Sequence, residues 1–393
     1  MNDYAKREEK SLCYGCRACE QACPKSCISM VLDNEGFLYP ATNKELCNNC
    51  KVCLKVCPIG KDLSSNYRNE YYATYHKDNY VRVNSSSGGA FTAIVETFCD
   101  NNWVAFGAGY DEEFNVNHSF AQSKEDIGKF RKSKYVQSDI GNCYSKAKEF
   151  LESGKKVLFS GTSCQIAGLR TFLGKNYPSL LTCDILCHGT PSPAVFHKYI
   201  TDMQVKFKSN LKSIDFRHKK DGHWKKLYIR LLFENGQEYL KKHSEDPYGL
   251  IYSHRLAHRP VCHVCPFASS KRIADITIAD FWGIEKFNKY ISYTEGVSLV
   301  IVNTPKGHEI LDKAKIQIHV KTECYEHAAT KNSTLIEPAP LNPRRFQFFQ
   351  DKDRFPIDEL ADKHVVRRNV VIRFLASFLS HNTKKKIRKY LNI

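Results

Sequence analysis

Residues 13–24 read Cys13-Tyr14-Gly15-Cys16-Arg17-Ala18-Cys19-Glu20-Gln21-Ala22-Cys23-Pro24, and residues 47–58 read Cys47-Asn48-Asn49-Cys50-Lys51-Val52-Cys53-Leu54-Lys55-Val56-Cys57-Pro58. Both runs have the form C-x2-C-x2-C-x3-C-P. Cys13 maps onto Cys47 and Cys23 onto Cys57, an offset of 34 residues. Eight cysteines at this spacing form the ligand pattern of two [4Fe-4S] clusters, the fourth cysteine of each run reaching across to the other cluster. The spacing therefore assigns Cys13, Cys16, Cys19 and Cys57 to one cluster, and Cys47, Cys50, Cys53 and Cys23 to the other. The competing readings are a disulfide framework and structural zinc. Zinc takes its four ligands in pairs, usually a dozen or more residues apart, which is a different pattern. Single-electron chemistry is the expected business of this region.

Working outward, residues 1–62 are expected to adopt the fold of a bacterial dicluster ferredoxin. Between the two runs, Ile28 to Tyr39 reads as a β-hairpin turning at Asn34-Glu35-Gly36. Cys27 falls outside the spacing and reads as a small packed residue rather than a ligand. A polar linker, Asp62 to Glu70, then leads into a larger body.

The chain has 393 residues, 42% of them hydrophobic, enough for two or three domains with real cores. Met1 to Lys10 is polar and lacks the apolar segment of a signal peptide. Cluster ligation needs thiolates, so the 17 cysteines fit a reducing compartment, and the expected location is cytoplasmic. No apolar run reaches the ~18 residues that span a bilayer. The net charge of +17 is concentrated: after Asp362 there is no acidic residue, but there are nine basic ones among residues 363–393. They flank the apolar stretch Val370 to Leu379. Basic flanks around a short apolar helix suit peripheral contact with the inner face of an anionic membrane. The competing reading is a C-terminal helix docked on the body. No nucleic-acid partner is expected, because charge without a binding motif does not make one.

The body alternates strand and helix signals. Trp103–Tyr110, Lys156–Ser160, Leu180–Leu186, Ile273–Ile278 and Val297–Val302 read as strands. Thr92–Phe98 and the stretches from Gln165 and from about Lys306 read as helices. Leu227–Phe233 and Gln237–Leu240 flank Asn235-Gly236, predicting a hairpin with a type I′ turn. The predicted fold class is thus α+β/α/β: an N-terminal dicluster ferredoxin fold followed by a mixed α/β body. Four segments are expected: 1–62 the ferredoxin unit, 63–160 and 161–340 the two parts of the body, and 341–393 a basic tail.

Several body cysteines have ligand-like placement. Cys262 and Cys265 form a C-x2-C pair. Cys164 falls on a strand-to-helix turn, where the helix dipole stabilises a thiolate, so it also reads as a nucleophile. Cys183 and Cys187 compete for a fourth position, since residues four apart on a strand share a face. A third iron–sulfur cluster is the functional reading and structural zinc the alternative. Cys99, Cys143 and Cys324 are expected to be inert buried thiols. The small-residue turn Ser85–Ala90 precedes a helix and can approach a phosphate closely. Lys132-Ser133-Lys134-Tyr135 adds charge and an aromatic face suited to a flavin nucleotide. His118, His188 and Asp280 are nearby acid–base candidates, none of them assigned a catalytic role.

Five segments in order resemble the coenzyme F420 hydrogenase/dehydrogenase beta subunit family. They are Ser86–Thr92, Ser133–Ser138, Gly161–Leu169, Asp184–Gly189, and Cys262-x2-Cys265 followed by Ala274-Asp275-Ile276 and Asp280–Gly283, spanning roughly residues 75 to 300. The resemblance implies an FAD-binding body with its own [4Fe-4S] cluster. Its ligands would be Cys164, Cys187, Cys262 and Cys265, which selects Cys187 over Cys183. The FAD region would include Ser87, Gly88, Gly89, Thr92, Lys134 and Tyr135. Ser163 departs from the family, where proline is frequent, as does Ala279, where glycine is common.

The implied function is an iron–sulfur flavoprotein oxidoreductase. It would pass electrons between the clusters and FAD, and to or from a two-electron substrate such as a deazaflavin or another small organic molecule. A ferredoxin or another redox protein would serve the clusters. Bacterial chains of this architecture are often linked to polysaccharide synthesis. The competing readings are an electron-transfer subunit of a larger complex, and a non-catalytic iron–sulfur interaction protein.

Overall fold

The computed structural model describes residues 9–366, apart from positions 100, 289, 316 and 317. The basic tail from residue 367, with its apolar stretch, lies outside the described residues. Among the described residues no helix is long and apolar enough to cross a membrane.

In the N-terminal unit, helix α1 (Ala18–Gln21) precedes an antiparallel pair, β1 (Ile28–Leu32) and β2 (Leu38–Thr42), and α2 (Val52–Lys55) follows. The sequence repeat is also a backbone repeat. Arg17 and Lys51, each just before its short helix, both adopt φ 60°.

The body's strands are β3 (Glu70–His76), β4 (Trp103–Tyr110), β5 (Val116–Ala121), β6 (Lys156–Thr162), β7 (Leu180–Ile185), β8 (Leu211–Lys219), β9 (Leu227–Phe233), β10 (Glu238–Lys242), β11 (Ile276–Asp280), β12 (Ser298–Val302) and β13 (Ile318–Glu323). Its main helices are α3 (Ala90–Phe98), α4 (Cys143–Glu152), α5 (Ser163–Leu173), α6 (Pro193–Phe207), α7 (Pro247–Ser253), α8 (Pro305–Ala314), α9 (Arg345–Asp351) and α10 (Ile357–His364). Eight strands form one sheet in the order β13-β3-β12-β11-β7-β6-β4-β5, and β10-β9-β8 form a smaller one. The contiguous strands β4, β6, β7 and β11 pair in parallel, with antiparallel strands on both flanks. Strands of such a sheet are covered on both faces, and β12 (Ser-Leu-Val-Ile-Val) is accordingly buried at every position. The predicted mixed α/β body is the observed one.

Three expectations are corrected. The boundary placed at residue 160 falls inside β6, so the two expected parts of the body share one sheet. The Asn235-Gly236 hairpin does not close with a type I′ turn. Only Gly236 has positive φ (83°), and Phe233 N–H bonds Gln237 O around a three-residue loop. Asn235 stays at negative φ, its side chain accepting from Gln237 N–H and donating to Phe207 O, which holds it to the end of α6. Finally, Cys324 is exposed, while Cys99 and Cys143 are buried as expected.

The polar segment after Asp62 does not separate two bodies. Tyr14, Cys16, Ala18 and Val56 share one apolar core with Val104 and Phe159 of the larger sheet and Ile166 and Leu169 of α5. Buried polar ties reinforce it. Arg259, 1% exposed, donates to Cys13 O (2.8 Å) and Leu38 O (2.9 Å) and lies over the ring of Tyr39. Arg17 pairs with Asp139, and Arg345 with Glu35.

Candidate functional site

The eight ferredoxin cysteines are gathered in the two crossed groups that the spacing predicts. Cys13, Cys16, Cys19 and Cys57 line one cavity with Tyr14, Met30 and Ile59. Cys47, Cys50, Cys53 and Cys23 line another with Pro24 and Lys51. Cys27 joins this second group, its Sγ 3.3 Å from that of Cys23. Spacing could not reveal it, because Cys27 enters the cavity through the start of β1 rather than through the repeated run. The first group faces the body. Cys50 of the second is exposed.

Four body cysteines converge where parallel strands end. Cys164 is the second residue of α5, directly after β6, and Cys187 lies two residues past β7. Cys262 belongs to a 3-10 turn, Pro260–Val264, and Cys265 follows it. Burial raises the Cys187 thiol well above its usual value, and Cys262, Cys164 and Cys265 raise it further. Burial and the neighbouring Cys265 likewise push Cys164 up to about 12. The expected thiolate at the helix start is therefore outweighed by burial among other thiols, and Cys164 is no activated nucleophile by itself. Cys183 is 0% exposed within β7, in register between Ser160 and Ile276, and the charges acting on it are Asp184 and Asp275. The tie between Cys183 and Cys187 disappears because the strand stops at Ile185, so the shared-face rule does not reach residue 187.

One guanidinium binds the segments that carry these cysteines. Arg272, 2% exposed, donates to Asp184 (2.5 Å), Ser163 Oγ (2.8 Å) and Phe267 O (2.9 Å). Ser163, the departure from proline, donates its hydroxyl to Asp184 at 2.6 Å. This residue is therefore part of a buried polar knot joining the start of α5, the end of β7 and the loop after Cys265.

Beside the four thiols opens a cavity of ≈ 540 Å³ at the carboxyl ends of β6, β7 and β11, within the range of small-molecule and cofactor sites and at the edge where ligands of open α/β sheets sit. Ser87, Gly89, Thr92, Lys134 and Tyr135 line it, as do Cys187, His118, His188 and Asp280. Gly88 faces away, with its N–H on Ser298 Oγ and its Cα against β3 and β12. Burial and the nearby Lys132 hold the Lys134 ammonium down to about 7. Burial keeps His118 neutral, its pKa lowered to about 4, with Nε2 on Ser160 O at 3.0 Å.

Arg217, not singled out by the sequence, grips Asp280 through two contacts (2.6 and 3.1 Å) and also donates to the Tyr135 hydroxyl. Asp280 is thus already engaged. His258 is 1% exposed and has no hydrogen-bond partner at either ring nitrogen; it lies beside Gly189 in the cavity lining. Among the described residues no group of three or more His, Cys, Asp or Glu side chains closes around a single metal ion.

Tyr14 connects the sites. Its hydroxyl is raised by burial and then by Cys164, Cys265, Cys57 and Cys16, thiols of two different groups. Gly168 of α5 lies directly against Cys16; a Cβ there would stand 3.0 Å from Cys16 Sγ and 2.7 Å from the Tyr144 hydroxyl.

A dicluster ferredoxin fold fused to a mixed α/β body defines an iron–sulfur protein of the oxidoreductase, electron-transferring class. Residues 12–61 match the family of 4Fe-4S dicluster domains, and residues 154–327 match the family described as the C terminus of the coenzyme F420 hydrogenase/dehydrogenase beta subunit. The small-residue turn at Ser85–Thr92 and the Lys134 segment precede the matched region. Among solved structures, a chain of the F420-reducing [NiFe] hydrogenase complex from Methanosarcina barkeri is similar. It is 19% identical, with 78% of this chain and 93% of that chain covered, at a TM-score of 0.45. No curated protein matches the chain.

Proposed function

We propose that this protein is an iron–sulfur flavoenzyme in which three cysteine groups form a line ending at an FAD cavity. The observation that carries the reading is the apolar core around Tyr14, which contains Cys16 of the inner ferredoxin group and has Cys164 and Cys265 of the body group packed against it. The order is then the exposed group with Cys50, the inner group with Cys16, the body group of Cys164, Cys187, Cys262 and Cys265, and the cavity that Cys187 also lines. Clusters held by such groups would relay single electrons, and FAD would supply the change between one- and two-electron chemistry.

The residues fit both groups. Four thiols crowded together are costly to ionise even with Arg259, Arg345 and Arg272 nearby, and a bound metal centre supplies further positive charge. The small turn Ser85–Gly89 leads into the nine-residue helix α3, and Arg131, Lys132 and Lys134 stand across from it. Backbone N–H groups at such a helix start, with cations opposite, suit a dinucleotide's phosphates. His258 carries an N–H with no acceptor, an omission that costs about 1–3 kcal/mol unless a ligand completes it. We assign that N–H to a cluster sulfur.

The two-electron partner in this reading is a small molecule entering the same cavity, a deazaflavin of the coenzyme F420 kind or an organic substrate. A ferredoxin or another redox protein serves the outer group, and the tail beyond residue 366 is the segment for peripheral membrane contact. The test is composition of the anaerobically purified protein. About twelve iron atoms and one FAD per chain are expected. About eight iron atoms with one zinc would remove the body cluster, and intact clusters without flavin would remove the enzyme reading.

A further inference from the structure

We infer that the rim of the outer ferredoxin cavity is the docking face for an acidic, single-electron carrier protein. The inference rests on the proposed line of clusters, because it names where that line meets its partner. Electron transfer weakens steeply with distance, so a partner must sit where a cluster comes nearest to the surface. Among the eight ferredoxin cysteines only Cys50 is exposed.

The surroundings of this opening have one sign. The segments that line it, residues 23–28 and 42–55, carry Lys25, Lys44, Lys51 and Lys55, all exposed, and one carboxylate, Glu45. None of these four lysines is in an ion pair among the described residues. Of the unit's other described carboxylates, Glu20 is paired with Arg17, Asp33 with Lys10, and Glu35 with Arg345 of the body, while Glu9 and Asp62 accept from Ser11 and Ser64. Four lysines and one carboxylate thus surround the exposed thiol.

The rim also shows apolar surface: Leu46, next to Cys47, is 57% exposed. An apolar side chain within a ring of one charge suits a small, transient interface, in which charge sets encounter and orientation. The occupant that complements four lysines is a carrier with a carboxylate-rich face.

The test follows cluster bleaching by stopped flow in anaerobic full-length protein. One reductant is a reduced acidic ferredoxin; the other is photoreduced 5-deazariboflavin, small and uncharged. With the wild type, the ferredoxin rate constant should fall at least tenfold between roughly 20 and 300 mM salt, as expected for steering between opposite charges. In the Lys25→Glu/Lys44→Glu/Lys55→Glu variant, which spares the cavity-lining Lys51, that rate should fall at least tenfold at low salt and lose its salt dependence. The Lys→Gln counterpart should lie between the two. The deazariboflavin rate and the iron content should match the wild type in both. An unchanged ferredoxin rate and salt slope in the charge-reversed protein overturns the docking face while leaving the line of clusters intact. Failure of both reductants to bleach the wild-type clusters overturns the line itself, and the docking face with it.

Discussion

Single residues divide the cysteines into roles. Cys187→Ala should remove the body cluster's paramagnetic signal and about four of the twelve iron atoms, leaving the ferredoxin pair. Cys183→Ala should keep all the iron, because that thiol is enclosed within β7 next to aspartates rather than thiols. Loss of the third signal in Cys183→Ala would reverse this assignment. His258→Phe should lower the midpoint potential of the body cluster without losing iron, since an N–H donor to a cluster sulfur favours the reduced state; a redox titration followed by electron paramagnetic resonance reads the shift. Lys134 gives a pH dependence. Its folded pKa is depressed to about 7, so it is charged below neutrality and neutral above. A phosphate favours the charged form, so FAD binding takes up a proton above pH 7 and weakens as pH rises, by up to about tenfold per unit. Titrations of apoprotein with FAD at pH 6, 7 and 8 should show this slope, and Lys134→Met should bind weakly with no slope.

At the level of elements, helix α5 serves two sites at once. Its start carries Cys164, and its middle offers Gly168 as the seat for Cys16. No side chain fits there: even a methyl group would press on both Cys16 and Tyr144. Gly168→Ala should therefore displace the inner ferredoxin group and destabilise the protein by about 1–3 kcal/mol, the usual cost of overpacking a dense core. The melting temperature and the inner cluster's signal check it; an unchanged pair of values would show that α5 and the ferredoxin unit are not in contact. The parallel order of β6, β7 and β11 explains why Cys164, Cys187 and Asp280, far apart in sequence, emerge at one edge. Arg272 then fixes their spacing from behind, as a buried charge satisfied by a carboxylate and backbone oxygens.

At the level of the whole molecule, the ferredoxin unit is part of the body's core rather than a tethered module. Arg259→Ala removes a buried guanidinium that joins the two and leaves Cys13 O and Leu38 O without their donor. A loss of about 2–3 kcal/mol is expected, together with faster amide exchange in residues 9–61 than in β12. Uniform exchange in the variant would mean that Arg259 does not hold the junction. The sequence by itself determined the two crossed cysteine groups, because cluster ligation constrains spacing within a dozen residues and leaves a direct record in the chain. It also determined most strands and helices, whose apolar periods are local. Only the tertiary structure decided that Cys183 is enclosed within β7 while Cys187 lies past its end, that Cys27 enters the outer cavity, and that Arg217 already occupies Asp280. It alone brought Tyr14 between two groups of thiols. These are contacts between segments from tens to hundreds of residues apart, fixed by where strands end and how helices pack, and no local pattern in the chain records them.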